Sequence, residues 1–440
     1  MRITSPVIAL SLLFGALNIA AAQTQNGPPA SETRPRTVGP EGSPGKSEPA
    51  AQRESAPKEE KTLQKSTTSN GGAMPRFADA AAKSADEISE APTSSARQSG
   101  PTAIRARIAE AERLLKTRPR PTAITSPALD TVTLALLEPG TARIHLLSVS
   151  KQIFLTKGSE ASMTTSRGTL VTLRVLRANG VNTAVTVIDD GGRSFMPLIV
   201  EFPIERQGVF KEMAYYTSAH PTLLPAELVK TGQSYVRSMI DLAAKRLREK
   251  GVFVNSNLVD LAERLCVIEH IDHDRFRLEN RGALFNEIFS LYALNELDTY
   301  RYSVSFAGAG GMVQMIPWAY NLERQRHPGV GLMPDFVAGM RTHANALQAM
   351  LLYLQDTWND LAASEDVQLA LATKLATPAE IMAAGYNSNA AKLPAYLRRG
   401  GSAWRSLIPR ETQLYLQIYK TFEGLVPMKA RDNSVTKSAD

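Results

Sequence analysis

The sequence predicts an α+β protein: a small antiparallel β domain, then a predominantly helical C-terminal domain, both behind a long N-terminal segment that builds no core. Three observations carry this expectation. Residues 23–103 contain almost no aromatic or branched aliphatic side chains. Short runs of Val, Ile, Leu and Thr with turn signals crowd between Asp130 and Phe202, and helical periodicity prevails after about Pro225. Of 440 residues, the remaining stretch of about 330 is ample for two packed domains.

The first element is an apolar run, Val7 to Ala20, behind Arg2 and ahead of Ala20-Ala21-Ala22. It is expected to be a secretory leader, 1–22, because it is short for a membrane span and ends in small residues suited to cleavage. An uncleaved anchor is the alternative, and membrane contact is expected at most through it. Residues 23–103 mix Pro, Ser, Gly and both charge signs, as in Pro57-Lys58-Glu59-Glu60-Lys61, which predicts a disordered linker. A short satellite helix is expected over 104–120, closing at Arg118-Pro119-Arg120-Pro121.

The β domain is expected over 122–222. Leu170 to Arg177 and Thr183 to Ile188 flank Asn179-Gly180, a hairpin signal; Asp190-Gly191-Gly192 leads into Phe195 to Phe202, and Arg143 to Leu155 supplies more strand. No convergent catalytic set lies within it, so packing or binding, including recruitment of an envelope protein partner, is its expected role. The helical domain is expected over 223–428, with a disordered tail at 429–440. Leu258, Leu261, Ala262 and Leu265 follow the candidate caps Ser256 and Asn257, and Leu347, Met350, Leu351 and Leu354 repeat the stripe with Trp358 one turn on. These are core positions.

Composition narrows the chemistry. The lone cysteine, Cys266, excludes a disulfide framework and a multi-thiolate zinc site, and reads as buried filler. The formal charge of +7 suits an acidic partner, and an exported chain favours a wall polymer or lipid surface over nucleic acid. The basic run Lys245 to Lys250 reads as a solvated helix face. Glu269, His270, Asp272, His273 and Asp274 invite a metal reading, but no further ligands fall at a recognised spacing, and a polar helix end explains them. No metal and no cofactor are expected. A Gly-x-Ser-x-Gly elbow and a phosphate loop are both absent.

The richest stretch is Gly282 to Pro317. Phe285, Ile288, Phe289 and Tyr292 mark one helix face, and Glu296 follows four residues later, so a carboxyl ends an apolar stripe. Held among aromatic groups, that carboxyl would stay protonated near neutral pH, as a general acid requires; alternatively it points into water at a helix end. Ser305, Gly308, Ala309, Gly311, Met312, Gln314 and Pro317 then form a compact loop whose glycines let backbone amides approach a ligand.

This arrangement resembles the soluble lytic transglycosylases, relatives of goose-type lysozyme, in which a catalytic Glu is followed nine residues later by Ser and then by Gly-Ala-x-Gly-Leu-Met-Gln. Here Glu296 precedes Ser305 and Gly308-Ala309-Gly310-Gly311-Met312-Val313-Gln314. Ala384-Gly385-Tyr386-Asn387-Ser388 is similar to the family's Ala-Tyr-Asn-Ala-Gly segment, and Pro409-Arg410-Glu411-Thr412 with Tyr415 to its Pro-x-Glu-Thr-x-x-Tyr segment. The likeness covers roughly 256–426. Leu297, Asp298 and Thr299 depart from the family's Ser and aromatic after the glutamate, Val313 replaces a Met and Asn389 a Gly.

The resemblance implies a lysozyme-like helical domain that cleaves the β-1,4 bond between N-acetylmuramic acid and N-acetylglucosamine of peptidoglycan, forming 1,6-anhydro ends. Glu296 would act as acid and then base, without a second carboxylate. Ser305, Gln314, Tyr386 and Asn387 would line the saccharide cleft, Met312 would pack on a sugar face or in the core, and Glu411 is expected to fix the last helix or, alternatively, to meet the substrate. A hydrolytic muramidase and a noncatalytic peptidoglycan-binding or envelope-assembly module remain open.

Overall fold

The computed structural model describes residues 101–118, 129–218, 220–305 and 307–431. The expected leader, the expected linker up to residue 100 and the tail beyond residue 431 lie outside the described residues. Among these residues no helix is long and apolar enough to cross a membrane.

Helix α1 spans Pro101–Thr117, starting three residues before the expected satellite helix because proline suits a first helical turn. Seven strands follow: β1 Thr131–Leu137, β2 Ile144–Ser150, β3 Glu160–Thr164, β4 Leu170–Arg177, β5 Ala184–Asp189, β6 Ser194–Arg206 and β7 Val209–Tyr216, with the one-turn helix α2, Lys151–Phe154, after β2. All pairings are antiparallel, in the order β2-β1-β6-β5-β4-β3, with β7 on β6. Strand β6 is the spine. Its first two residues pair with β5, the stretch from Met196 to Glu201 with β1, and that from Val200 to Arg206 with β7. A register shift between Ala135 and Leu136 accommodates Pro197, which cannot donate to a ladder.

Strand β1 is buried on both faces, which explains its unbroken apolar run. Ala135 meets Ile104, Ile108, Ala111 and Leu115 of α1 in one cluster, while Val132, Leu134 and Leu136 point into the main core. The hairpin expected at Asn179-Gly180 exists, but a short 3-10 segment, Gly180–Asn182, replaces the two-residue turn, and the Asn179 amide is held by the Thr183 hydroxyl at 2.9 Å.

The helical region comprises α3 Ala226–Glu249, α4 Ser256–Ile268, α5 His273–Leu278, α6 Arg281–Asn295, α7 Pro317–Arg326, α8 Phe336–Arg341, α9 His343–Ala362, α10 Glu365–Ala372, α11 Pro378–Asn387, α12 Leu393–Gly400, α13 Trp404–Leu407 and α14 Arg410–Leu425. The predicted stripes are core: Leu258, Leu261, Ala262, Leu265, Leu347, Met350, Leu351 and Leu354 are all buried. The cap of α4 is Asn255 rather than Ser256 or Asn257, its side chain accepting the Asn257 amide. Gly232 lets α3 approach α6 closely, since a Cβ there would sit 1.8 Å from the Phe289 carbonyl oxygen.

Sheet and helices share one continuous buried cluster. Asn295, at the end of α6, accepts the Thr217 amide at 2.7 Å and donates to its carbonyl at 2.8 Å, pinning the helix to the end of β7. Part of the expected tail is also anchored. Arg431 donates to Asp241 and Asp260 at 2.7 Å and to Glu263 at 2.5 Å, so the ordered chain runs past residue 428.

Candidate active site

Helix α4 is buried almost all round over its second half, from Leu265 to Ile268, and its C-cap is Glu269. The cap keeps right-handed helical angles (φ −59°, ψ −17°), so the Glu269 side chain stays in register with Leu265, one turn earlier. Its Oε1 accepts the Tyr415 hydroxyl of α14 at 2.5 Å. Burial pushes this carboxyl up to about 8; the Tyr415 hydrogen bond opposes the shift and the Glu411 charge adds to it. At neutral pH Glu269 therefore carries a proton.

The residues around it hold the glycine loop. His270 donates from Nε2 to the Met312 carbonyl at 3.0 Å, and its ring stacks on Tyr300 with centroids 3.4 Å apart. Burial pulls this imidazole down to about 3, so it is neutral, and Nε2 must carry the hydrogen because a carbonyl only accepts. The next carbonyl, of Val313, accepts the Tyr386 hydroxyl of α11 at 2.6 Å. Burial raises both the Tyr386 and Tyr415 phenols well above the ordinary tyrosine range, and ionisation of Glu269 would raise them further. Asn387, at the end of α11, has its Oδ1 buried with no hydrogen-bond partner, an acceptor left over in a half-buried position.

Within the loop the predicted residues serve mainly to shape it. The Ser305 hydroxyl accepts the Ala309 amide at 3.0 Å. Gln314 takes a positive φ of 46° and donates to the Gly311 carbonyl at 2.8 Å and the Ser303 hydroxyl at 3.2 Å. Gly311, at φ 67°, presses against α8: a Cβ there would lie 2.3 Å from the Met340 carbonyl oxygen. Met312 is wholly buried. Its side chain belongs to the core and presents no face to a sugar.

Glu296 lacks the apolar surroundings that the general-acid reading requires and has those of the alternative, a helix-end carboxyl in water. Phe285, Ile288, Phe289 and Tyr292 are buried as predicted, but α6 ends at Asn295, and Glu296 turns out of register with φ 47° and ψ −119°. Its side chain is exposed and makes no hydrogen bond or ion pair with a described residue. The Tyr235 phenol, bonded to His343 Nδ1 at 2.9 Å, is raised by burial and then by the charges of Glu296 and Asp298. Asp298 pairs with Arg301 at 3.4 Å.

The polar run after α4 also separates. Asp272 caps α5 through the amides of Asp274 and Arg275, and Asp274 pairs with Arg277, so these groups do not converge with Glu269 and His270 on a common ligand. The resemblance motifs thus meet around a glutamate to which sequence reasoning gave no catalytic role. The available signal was its place four residues after Leu265, the same rule that singled out Glu296. No family model, curated protein or solved structure matches the chain.

Proposed function

We propose that the protein is an exported peptidoglycan-cleaving enzyme of the lytic transglycosylase type, with a lysozyme-like helical region, and that Glu269 rather than Glu296 is its acid and base. The observation carrying this reading is the convergence of a half-buried, proton-bearing carboxyl with Tyr415, Tyr386, Asn387 and the glycine loop. These are the segments that carry the family resemblance.

In this reading Glu269 gives its proton to the leaving glycosidic oxygen. As carboxylate it then takes the proton of the muramoyl C6 hydroxyl while that oxygen attacks C1, closing the 1,6-anhydro ring and restoring the acid. Tyr415 orients the carboxyl through its hydrogen bond. The leftover Asn387 acceptor suits an acetamido N–H or a sugar hydroxyl. His270 and Tyr386 act as positioning residues, fixing the two adjacent loop carbonyls from opposite elements.

The test is digestion of purified peptidoglycan by the protein and its Glu269→Gln and Glu296→Gln forms, with mass analysis of the released fragments. Products lighter than hydrolytic ones by one water, lost in Glu269→Gln and kept in Glu296→Gln, are expected. The reverse pattern returns the acid to Glu296, hydrated products mean a muramidase, and peptidoglycan capture without any release means a binding module.

A further inference from the structure

Beyond the loop, α7 and α9 face each other across a polar cluster that the proposed chemistry does not use. Glu323 of α7 is wholly buried, and neither of its carboxylate oxygens has a hydrogen-bond partner. Two unsatisfied oxygens on one buried acid are costly, and no described residue gives them a hydrogen bond. One turn on, at the end of α7, His327 places Nε2 3.6 Å from Glu323 Oε2 and 3.1 Å from Oδ2 of Asp356, on α9. The donor atoms of the three residues all lie within 4.8 Å of one another.

We propose that Glu323, His327 and Asp356 bind a divalent transition-metal ion, zinc foremost, with a fourth position open to water. Tetrahedral zinc with nitrogen and oxygen donors at about 2.0–2.1 Å sets those donors roughly 3.3 Å apart, which the 3.1 and 3.6 Å separations bracket. Two carboxylates and a neutral imidazole balance the charge of the ion, and Asp360 adds to the negative field at Glu323. Arg326 lies 3.3 Å from the same Asp356 oxygen, but its side chain is 44% exposed and free to swing into solvent as the ion enters. His327 and Asp356 are partly exposed, which provides the entry path.

The ion would staple the helix that leaves the glycine loop to the helix that backs the candidate site. The Tyr353 ring of α9 meets that of Tyr386 edge-on at 5.8 Å. The existence of this site does not depend on the proposed glycan chemistry.

The experiment is zinc titration of the chelator-treated full chain against a competing chromophoric indicator, with thermal melts and far-ultraviolet dichroism as checks on folding. One equivalent of zinc should bind and raise Tm. His327→Ala and Asp356→Asn should each weaken binding by at least about 100-fold, more than loss of an outer-shell partner usually costs. Glu323→Gln removes an unpaired buried charge, so it should fold with a Tm no lower than that of the metal-free protein and still lose zinc. His273→Ala, in the separate segment before α5, should bind as before. Folded protein without stoichiometric zinc, binding that survives His327→Ala, or preference for Ca²⁺ or Mg²⁺ would each overturn the assignment.

Discussion

Two helices of this protein end on a glutamate four residues after a buried apolar position, and the two glutamates differ in everything else. At the end of α4, Glu269 keeps helical angles, stays on the buried face and meets Tyr415. At the end of α6, Glu296 takes a left-handed φ and leaves the face that Tyr292 defines. The difference lies in what anchors each helix end. Asn295 commits both ends of its amide to Thr217, so α6 stops where β7 requires, whereas the cap of α4 is met by Tyr415 of α14. Periodicity places a side chain on a face only as far as the helix continues.

The sharpest test of this contrast is the pair of glutamine variants. Glu269→Gln should lower the rate of glycan cleavage by about 10²–10⁴-fold, the range for losing a general acid, while Glu296→Gln should change it by less than about threefold. Equal losses from both would erase the distinction. Next in size is the support around Glu269. Tyr386→Phe leaves the Val313 carbonyl without its donor, a loss of about 1–3 kcal/mol, to be read as a lower Tm and a lower kcat from a loosened loop. Phe at position 386 that left both unchanged would remove the clamp from the mechanism.

Much of the architecture was legible before the structure. Strand β4 was expected residue for residue, the hairpin into β5 was present, and the two leucine-rich stripes of α4 and α9 are core. Strands β3 and β7 were not legible, because Glu160–Thr164 is short and buries nothing fully, with Ala161 and Met163 only half-buried, and Val209–Tyr216 carries adjacent charges at Lys211 and Glu212 that break a period of two. The candidate site was half legible. The loop, Tyr386-Asn387 and Tyr415 announced themselves by type and order, but the proton on Glu269 comes from burial beneath α14, more than 140 residues away in the chain. The same holds for Glu323, His327 and Asp356. Two of them sit four apart, and only the packing of α7 on α9 brings the third to them.

The pH profile separates the environments with a smaller, graded effect. Glu269 is active as an acid only while protonated, so kcat/KM should hold to about pH 8 and fall about tenfold per unit above it. Activity already falling through the ordinary carboxylate range would assign the acid elsewhere. Stability follows the same sign. The Glu269 pKa is raised on folding from 4.5 to about 8, so the folded state holds the proton more tightly; its contribution is complete below 4.5 and fades as pH rises towards 8. In Glu269→Gln that part of the pH dependence of Tm should disappear.

The smallest expected effect concerns the other glutamate. With φ 47° and ψ −119°, Glu296 occupies backbone space that glycine enters readily and other residues enter at a cost of about 1–3 kcal/mol. Its exposed side chain offers nothing in return. Glu296→Gly should therefore raise Tm by a few degrees, the relieved strain being partly offset by the greater freedom of glycine in the unfolded chain, and glycan cleavage should persist. A glycine variant that melts lower would show that the Glu296 side chain holds the turn after α6. One that melts higher and loses cleavage would show the strain to be maintained for catalysis, and would draw the two helix ends into a single site.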